Sequence, residues 1–241
     1  MRFPGLADFL ISESGAAECR PVAGTSEPTL QHLFCNQVLP AVLSMLHLPV
    51  FHASCVEIEG AAIAFVGLSG RGKSTLATYL GLQGANLVTD DGLELAWHED
   101  HYRVRPSQAA VRLWKDSRHA LLPSSALPAP AVSYTTKQRF LGDGVIAAST
   151  SSPRLRRAYF LGEGTVTDIS ITTLTANQAH MAWVRHSFML DAHDRARMMT
   201  HFQQVSRLVS QELAYTLDYP REYGLLPDVM SAIKAHLRAT P

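Results

Sequence analysis

The chain has few cysteines, and none of them is arranged like a metal or redox site. Cys19, Cys35 and Cys55 are odd in number, form no C-x-x-C motif and have no histidine pair at zinc-site spacing nearby. The spacing therefore argues against a disulfide scaffold and a zinc module. Buried thiols in a reducing cytoplasm are the expected state of these side chains.

Net charge and long apolar runs are also lacking. Lys plus Arg and Asp plus Glu each number 21, so no global field draws the chain to nucleic acid or acidic membranes. No apolar run approaches the roughly 20 residues that span a bilayer, and the N-terminal FLI patch is too short for a signal-peptide core. We expect a cytoplasmic protein with no nucleic-acid and no membrane partner.

What the chain does have is a glycine-rich loop between an apolar run and a helix-forming segment, in AAIAFVGLSGRGKSTLATYL. Gly67, Gly72, Lys73 and Ser74 fill the pattern G-x-x-x-x-G-K-[ST], and Gly70 lets the backbone curl around an anion. Such a loop aims backbone N–H groups and a lysine at phosphates. The predicted nucleotide-binding residues are Gly67, Leu68, Ser69, Gly70, Arg71, Gly72, Lys73, Ser74 and Thr75. The alternative is a glycine-rich loop without a ligand.

The segments around the loop predict an α/β arrangement. Residues 50–58 and 61–66 have strand character and are joined by the turn Glu59-Gly60, and a helix from Lys73 should end near Gly84. Residues 85–89 form another apolar strand, which ends in Asp90-Asp91. Carboxylates at the C-terminal edge of a sheet are where nucleotide enzymes hold Mg²⁺ and a base. Asp-Asp-Gly is also an ordinary turn sequence, so both interpretations stay open.

The whole chain is 46% apolar, which is enough for a sizeable core. The patterns of its remaining segments predict that they complete one domain. The N-terminal residues 1–27 are irregular, with one or two edge strands. The later predicted elements are a helix over 30–46 that is kinked or divided at Pro40, a hairpin over 92–105, a short helix over 117–122 and a connection over 123–133. They are followed by strands over 154–161, 166–174 and 213–217 and by two helices with core stripes at Met198, Phe202, Val205 and Val209 and at Val229, Ile233 and Leu237.

The stretch FHASCVEIEGAAIAFVGLSGRGKSTLATYLGLQGANLVTDDGLEL resembles the catalytic domain of the HPr kinase/phosphorylase family. His52, Lys73 and Asp91 fall on the positions of that family's active-site histidine, loop lysine and general base. The resemblance implies an α/β single domain with a central mixed sheet and flanking helices, like the nucleotide fold of HPr kinase and phosphoenolpyruvate carboxykinase. Chain length and the LWKDS segment resemble a compact branch, the kinases of lasso-peptide precursors. Residues 1–49 would pack on a kinase core of residues 50–241.

The phosphate loop predicts ATP as a cofactor, and phosphoryl transfer requires Mg²⁺, which Ser74 and Asp90 would hold. The family's second acidic signature, an E-I-R-G-type stretch, has no clear counterpart, and Asp116 is the best substitute, with a plain helix N-terminal acid as the alternative. Lys137 and Arg139 are candidates for a cation that neutralises transition-state charge, or they belong to a solvated strand face. A small basic cluster either binds an acidic peptide or keeps an edge strand solvated. It consists of Arg154, Arg156 and Arg157.

The leading hypothesis is an ATP-dependent serine kinase that acts on a peptide or small protein, with the C-terminal serine of a lasso-peptide precursor as the most specific substrate. The alternatives are an HPr-type carrier kinase/phosphorylase, a small-molecule kinase, and a non-catalytic ATP-binding module in which Asp91 lies away from any open cleft. A homo-oligomer is compatible with each of them.

Overall fold

The strand before the glycine-rich loop is buried on both faces. The computed structural model describes residues 1–107, 110–141, 146–189 and 194–239. In the strand Ala61–Val66, Ile63 and Phe65 pack in one apolar cluster, whereas Ala62 and Ala64 pack in a second. Successive strand residues point to opposite faces, so a wholly apolar strand must lie in the middle of a three-layer structure.

This strand is part of a nine-stranded mixed sheet. Its strands are β4 Val50–Phe51, β5 Ala53–Ile58, β6 Ala61–Val66, β7 Asn86–Thr89, β8 Leu93–His98, β9 His101–Val104, β12 Arg154–Leu161, β13 Ser170–Thr173 and β14 Ala214–Asp218. The spatial order is β13-β14-β12-β6-β5-β7, and β9 attaches β8 and β4 to β12 through Arg154 and Arg103. β12 pairs in parallel with both β6 and β14, whereas β5 runs antiparallel to β6 and β7.

Helices cover both faces of the sheet. On one face, α3 (Lys73–Leu82) and α7 (Leu226–Ala239) bury apolar side chains that include Leu76, Leu80 and Ile233. On the other face, α5 (Ala176–Arg185) and α6 (Arg195–Val209) bury Trp183 and Val205, among others. The predicted α/β single domain with a central mixed sheet and flanking helices is confirmed. None of the helices in the described ranges is long and apolar enough to cross a bilayer.

The N-terminal segment has its own small core, made of Ala7, Phe9, Leu33, Val38 and Val42. The prediction of one or two edge strands was wrong, because three strands pair with each other instead of joining the main sheet. They are β1 Arg2–Phe3, β2 Ala7–Ile11 and β3 Ala17–Pro21. The boundary between residues 49 and 50 stays a prediction.

The helix predicted over residues 30–46 begins earlier and consists of three parts. They are α1 Glu27–Leu33, a π-helical turn Phe34–Val38 and α2 Leu39–Met45. Pro40 lies at the start of α2, where its missing N–H and its ring are tolerated next to the wider π turn. The predicted kink or division at Pro40 is observed as a division of the helix, with a change in helix type between Val38 and Leu39.

A separate two-stranded sheet, β10 (Ala110–Leu113) with β11 (Gln138–Leu141), lies beside the main one. Its strands are connected through α4 (Lys115–Leu121) and by residues 122–137, which have no helix or strand. The predicted short helix and the predicted connection are thus both present.

Two sequence interpretations were wrong. In α6 the stripe predicted to be core is half exposed, with Met198 at 37% and Phe202 at 55% relative exposure, because the helix turns only its Val205 and Leu208 side to the sheet. The strand bearing Arg154, Arg156 and Arg157 is not an edge strand, because β12 lies between β6 and β14. Arg157 itself is buried, with its guanidinium over the ring of Tyr215.

We predict that Gly162→Ala destabilises the fold by about 1–3 kcal/mol, the usual range for overpacking. A Cβ at Gly162, in the turn after β12, would overlap the side chain of Asp218. That carboxylate accepts the N–H groups of Gly164 and Tyr219 and cannot move freely. Urea unfolding measures the change. Gly224→Ala is the control, since a Cβ there meets nothing within 4 Å. Equal midpoints for the two variants would contradict the prediction.

Candidate functional site

The carboxyl ends of four strands lie at the same edge of the sheet. β6, β12 and β14 are parallel, and β7 has the same direction because β6 and β7 are both antiparallel to β5. The carboxyl edge of an α/β sheet is where ligands bind. The glycine-rich loop follows β6 and Asp90-Asp91 follows β7, so the topology brings these two sequence features together.

The glycine-rich loop has the geometry of an anion cradle. Gly70 and Gly72 have φ of 85° and 91°, a left-handed conformation that side chains disfavour, and Gly72 precedes the first residue of α3. The first N–H groups of a helix have no acceptor within it, and they attract anions. Lys73 is 8% exposed and donates to the carbonyl oxygens of Gly67 (2.8 Å) and Leu68 (3.1 Å). Burial lowers its pKa to about 8.

Asp90 is a buried carboxylate with three donors. Its Oδ1 accepts the hydroxyls of Ser54 at 2.5 Å and Ser74 at 2.8 Å, and its Oδ2 accepts the backbone N–H of Arg112 at 3.0 Å. The structure therefore places two of the three predicted metal ligands, Ser74 and Asp90, side by side at the start of α3. A hydroxyl and a carboxylate are hard oxygen ligands of the kind that Mg²⁺ takes.

Asp91 lies beyond Asp90 in an unusual backbone conformation. Its φ is 78°, which is uncommon for a residue other than glycine and is found at functional sites. Its carboxylate forms an ion pair with the guanidinium of Arg112. The side chains of Asp91 and Arg112 are 26% and 11% exposed. Solvent ions therefore screen this ion pair only weakly, and the Asp91 carboxylate is still partly accessible.

Arg112 is the functional residue that the sequence reasoning missed. It lies in β10, in the apolar segment AVRL, and directly precedes the LWKDS segment, whose pattern says nothing about an arginine. Its backbone holds Asp90 and its side chain holds Asp91, so a single residue contacts both members of the acidic pair. A lone arginine inside an apolar strand was the only available signal, since a buried guanidinium needs an anionic or polar partner.

The N-terminal segment reaches the site through His32. This side chain is 1% exposed, and burial lowers its pKa to about 4, so the ring is neutral at neutral pH. Arg112 can only donate, so Nε2 of His32 accepts its N–H at 3.0 Å. Nδ1 therefore carries the proton and donates it to the Tyr134 hydroxyl. A residue of α1 thus orients the arginine that faces Asp91.

His52 is near the site but has no direct bond to Asp91 among the described hydrogen bonds. Its backbone N–H donates to the carbonyl of His186 at 2.7 Å, and its ring stacks on Phe188 with centroids 3.6 Å apart. Burial, with a smaller effect of the Lys73 charge, lowers its pKa to about 4. The imidazole is neutral, and the role of His52 as an active-site histidine stays a prediction.

Two cavities flank Arg112. The loop-side cleft contains Lys73, Ser74 and Thr75 and has an aromatic wall of Trp114, Tyr219 and Tyr223. The helix-side cavity contains Asp90 and is walled by Leu39, Pro40 and Leu43 of α2. Arg112 lines both.

The remaining predicted residues divide between these cavities. Asp116 and Lys137 line the loop-side cleft, whereas Arg139 lines the helix-side cavity. Asp116 is exposed and accepts the Tyr223 hydroxyl at 3.0 Å, and no described hydrogen bond joins it to Ser74 or Asp90. In the described part of the chain, no group of three His, Cys, Asp or Glu side chains could hold a metal alone. A bound Mg²⁺ would thus need further oxygens, such as phosphates and water.

We predict that the protein loses stability as pH falls from about 6.5 to about 4. Burial lowers the pKa of His32, His52 and His186 to about 4, below the roughly 6.5 of an unfolded chain. The unfolded state binds more protons in this window, so the stabilisation is present above pH 6.5 and lost towards pH 4. Urea unfolding between pH 6.5 and pH 4 measures the change in the free energy of unfolding.

His32→Gln removes one of these three groups but keeps an acceptor for Arg112, so its stability should fall less steeply with acid. His119→Gln, at an exposed position of α4, is the matched control. A slope in His32→Gln equal to that of the unchanged protein would contradict the prediction.

The comparisons with known proteins find matches among solved structures. No family model matches the sequence, and no curated protein matches it. The solved structure of the Hpr(Ser) kinase/phosphatase from Coxiella burnetii is similar at 13% sequence identity and a TM-score of 0.32, over 67% of this chain and 98% of the other. At this TM-score the likeness carries no weight for function, which has to be inferred from the site itself.

Proposed function

We propose that the protein is an ATP-dependent phosphotransferase that phosphorylates a serine hydroxyl of a peptide or small protein. One observation carries the proposal. The phosphate-loop residues Lys73 and Ser74 meet the acidic pair Asp90-Asp91 at one sheet edge, with Ser74 bonded to Asp90 at 2.8 Å. Phosphoryl transfer needs positioned phosphates, a metal and a base, which this edge can supply.

ATP would occupy the loop-side cleft. The N–H groups at the start of α3 and the ammonium of Lys73 would bind its phosphates, which would replace the loop carbonyls that Lys73 now contacts. Ser74 and Asp90 would hold Mg²⁺, whose charge neutralises the phosphate oxygens. The exposed ring of Trp114, which lines the same cleft, offers an apolar surface for the adenine ring.

Asp91 would act as the general base. The acceptor oxygen forms a bond to the γ-phosphorus, the bond from that phosphorus to the β–γ bridging oxygen breaks, ADP leaves, and the hydroxyl proton passes to Asp91. The ion pair with Arg112 occupies the Asp91 carboxylate before the nucleotide arrives. An incoming γ-phosphate would compete for the guanidinium, so that Arg112 stabilises the transferring group while Asp91 becomes free to accept the proton.

The accessibility of Asp91 favours an enzyme over a non-catalytic ATP-binding module. Its side chain is 26% exposed, and although Asp91 lines neither of the two cavities, its partner Arg112 lines both. The C-terminal serine of a lasso-peptide precursor remains the most specific substrate hypothesis, and an HPr-type carrier or a small molecule are the alternatives. Cytoplasmic location, the absence of nucleic-acid and membrane partners, and a homo-oligomer also stay predictions.

We predict that Asp91→Asn abolishes transfer while ATP binding persists. Asparagine tolerates the left-handed conformation at this position, so the backbone should be retained, but an amide cannot accept the proton. The loss in kcat should be at least about 100-fold, as expected for a general base. Intact-mass measurement of serine-bearing peptides with ATP and Mg²⁺ reports one added phosphate.

Asp168→Asn is the matched control, at an exposed carboxylate whose described side-chain hydrogen bond is to Thr167. Near-normal turnover of Asp91→Asn would show that another group is the base. Conversion of a metabolite with no transfer to any serine-bearing peptide would refute the serine kinase itself.

We also predict that ATP affinity falls as pH rises above 8. The Lys73 pKa of about 8 means that part of the free protein lacks the ammonium there, and bound phosphates should raise that pKa. Binding therefore takes up a proton, and Kd should rise by up to tenfold per pH unit. Calorimetric titration in buffers of different ionisation enthalpy detects the proton. Lys73→Arg keeps its charge and should lose this pH dependence. A pH-independent Kd between 7 and 9 would contradict the prediction.

A further inference from the structure

The tyrosine that follows β14 reaches over the phosphate loop. β14 ends at Asp218, at the same sheet edge as the loop, and Tyr219 is the next residue. Its hydroxyl oxygen lies 3.6 Å from the point where a Cβ on Gly72 would lie. Gly72 directly precedes the first residue of α3, so this hydroxyl is next to the helix N-terminus that would bind phosphates. Tyr219, Gly72 and Lys73 line the same loop-side cleft.

The space over Gly72 is otherwise open. Among the described residues, and apart from the two chain neighbours of Gly72, no other atom lies within 4 Å of that Cβ position. A phosphate on the helix N-terminus therefore has room beside the Tyr219 hydroxyl.

The surrounding contacts fix the position of the Tyr219 ring. The residue is 2% exposed and packs in the core cluster that contains Leu226 and Val229 of α7. Its backbone N–H donates to the Asp218 carboxylate at 3.0 Å, and its carbonyl accepts Nη1 of Arg221 at 2.8 Å. The same guanidinium lies over the ring, 4.1 Å from its centroid. A donor held in this way loses little side-chain freedom when a ligand binds.

The hydroxyl hydrogen of Tyr219 is available to a ligand. Burial raises the pKa of Tyr219, so the phenol stays protonated at neutral pH. Arg221 can only donate, so its guanidinium can approach the hydroxyl oxygen but cannot accept the hydrogen. None of the hydrogen bonds in the described part of the chain has this hydroxyl as its donor. A phosphate oxygen is the kind of charged acceptor with which it would form a strong hydrogen bond.

The charges around the hydroxyl favour a polyphosphate over a neutral ligand. Four cationic and two acidic side chains line the loop-side cleft among the residues that the structure describes. An excess of positive charge in a cleft attracts anions. These side chains are Lys73, Arg112, Lys137 and Arg221, against Asp116 and Glu222.

We propose that the Tyr219 hydroxyl donates a hydrogen bond to a phosphate oxygen of the nucleotide bound on the loop. The inference rests on the proposed function and adds to it a phosphate-binding residue from outside the glycine-rich loop. The carboxyl end of β14 then contributes to the site together with those of β6 and β7.

The test compares ATP with inorganic tripolyphosphate, a ligand that has the polyphosphate but no nucleoside. Each is titrated calorimetrically into the full chain with Mg²⁺. Tyr219→Phe removes the hydroxyl and keeps the ring, so it should raise the Kd of both ligands by about 10- to 100-fold, the usual effect of a hydrogen bond to a charged group. A similar loss for the two ligands assigns the contact to a phosphate.

Tyr215→Phe is the matched control. Tyr215 lies on β14, is 7% exposed and donates to the carbonyl of Glu212 at 3.3 Å, but it lines neither cavity. It should keep both affinities. Unchanged Kd values in Tyr219→Phe would overturn the inference. A loss for ATP alone would also overturn it, because the hydroxyl would then contact the nucleoside, and so would an equal loss in Tyr215→Phe.

The same titrations separate this inference from the proposed function. Binding of both ligands that depends on Tyr219, with no phosphate transferred to any hydroxyl compound, supports the phosphate contact and refutes the phosphotransferase alone. Phosphate transfer by the unchanged protein, with affinities that Tyr219→Phe leaves the same, overturns the contact alone. If neither ATP nor tripolyphosphate binds to the unchanged protein, both proposals fail.

Discussion

The site depends on one buried carboxylate. Asp90 is 8% exposed, and an ionised carboxylate at that depth is costly unless donors surround it. Its three donors come from β5, α3 and β10, through Ser54, Ser74 and the backbone of Arg112. Each of these elements is therefore held in place by the same side chain. Asp90 therefore fixes the relative positions of the phosphate loop, the acidic pair and the β10–β11 sheet. Each of them either supplies a donor to its carboxylate or contains a neighbour of such a donor.

Arg112 extends the same constraint outward. Its guanidinium lies between Asp91 and His32, and it borders both cavities. The N-terminal segment is consequently more than an appendage to the sheet, because α1 supplies the acceptor that orients this guanidinium and α2 supplies a cavity wall. In the proposed kinase, the loop-side cleft binds the nucleotide, and Arg112, which lines this cleft, would neutralise the charge that develops during transfer.

Local patterns predicted those elements whose burial follows from their own residues. β6 and α3 surround a loop whose glycines need left-handed backbone, so the strand, the turn and the helix were all predictable from one stretch. The failures occurred where burial depends on a distant partner. Met198 and Phe202 have helical spacing, but α6 has only one covered side. The charges of β12, which begins at Arg154, are typical of an edge strand. Its position inside the sheet depends on its pairing with β6 and β14.

The sequence by itself determined that a phosphate loop is present and that an acidic pair follows the next strand, because the glycine, lysine and strand patterns behind both are local. Only the tertiary structure decided which groups meet at that edge. Arg112 is 22 residues from Asp90 and 80 from His32 along the chain, and the packing of β10 and α1 against the sheet edge brings the three together. The division of Lys137 and Arg139 between two cavities has the same origin. Lys137 precedes β11 and Arg139 lies within it, so only the pairing of β11 with β10 fixes which cavity each side chain lines.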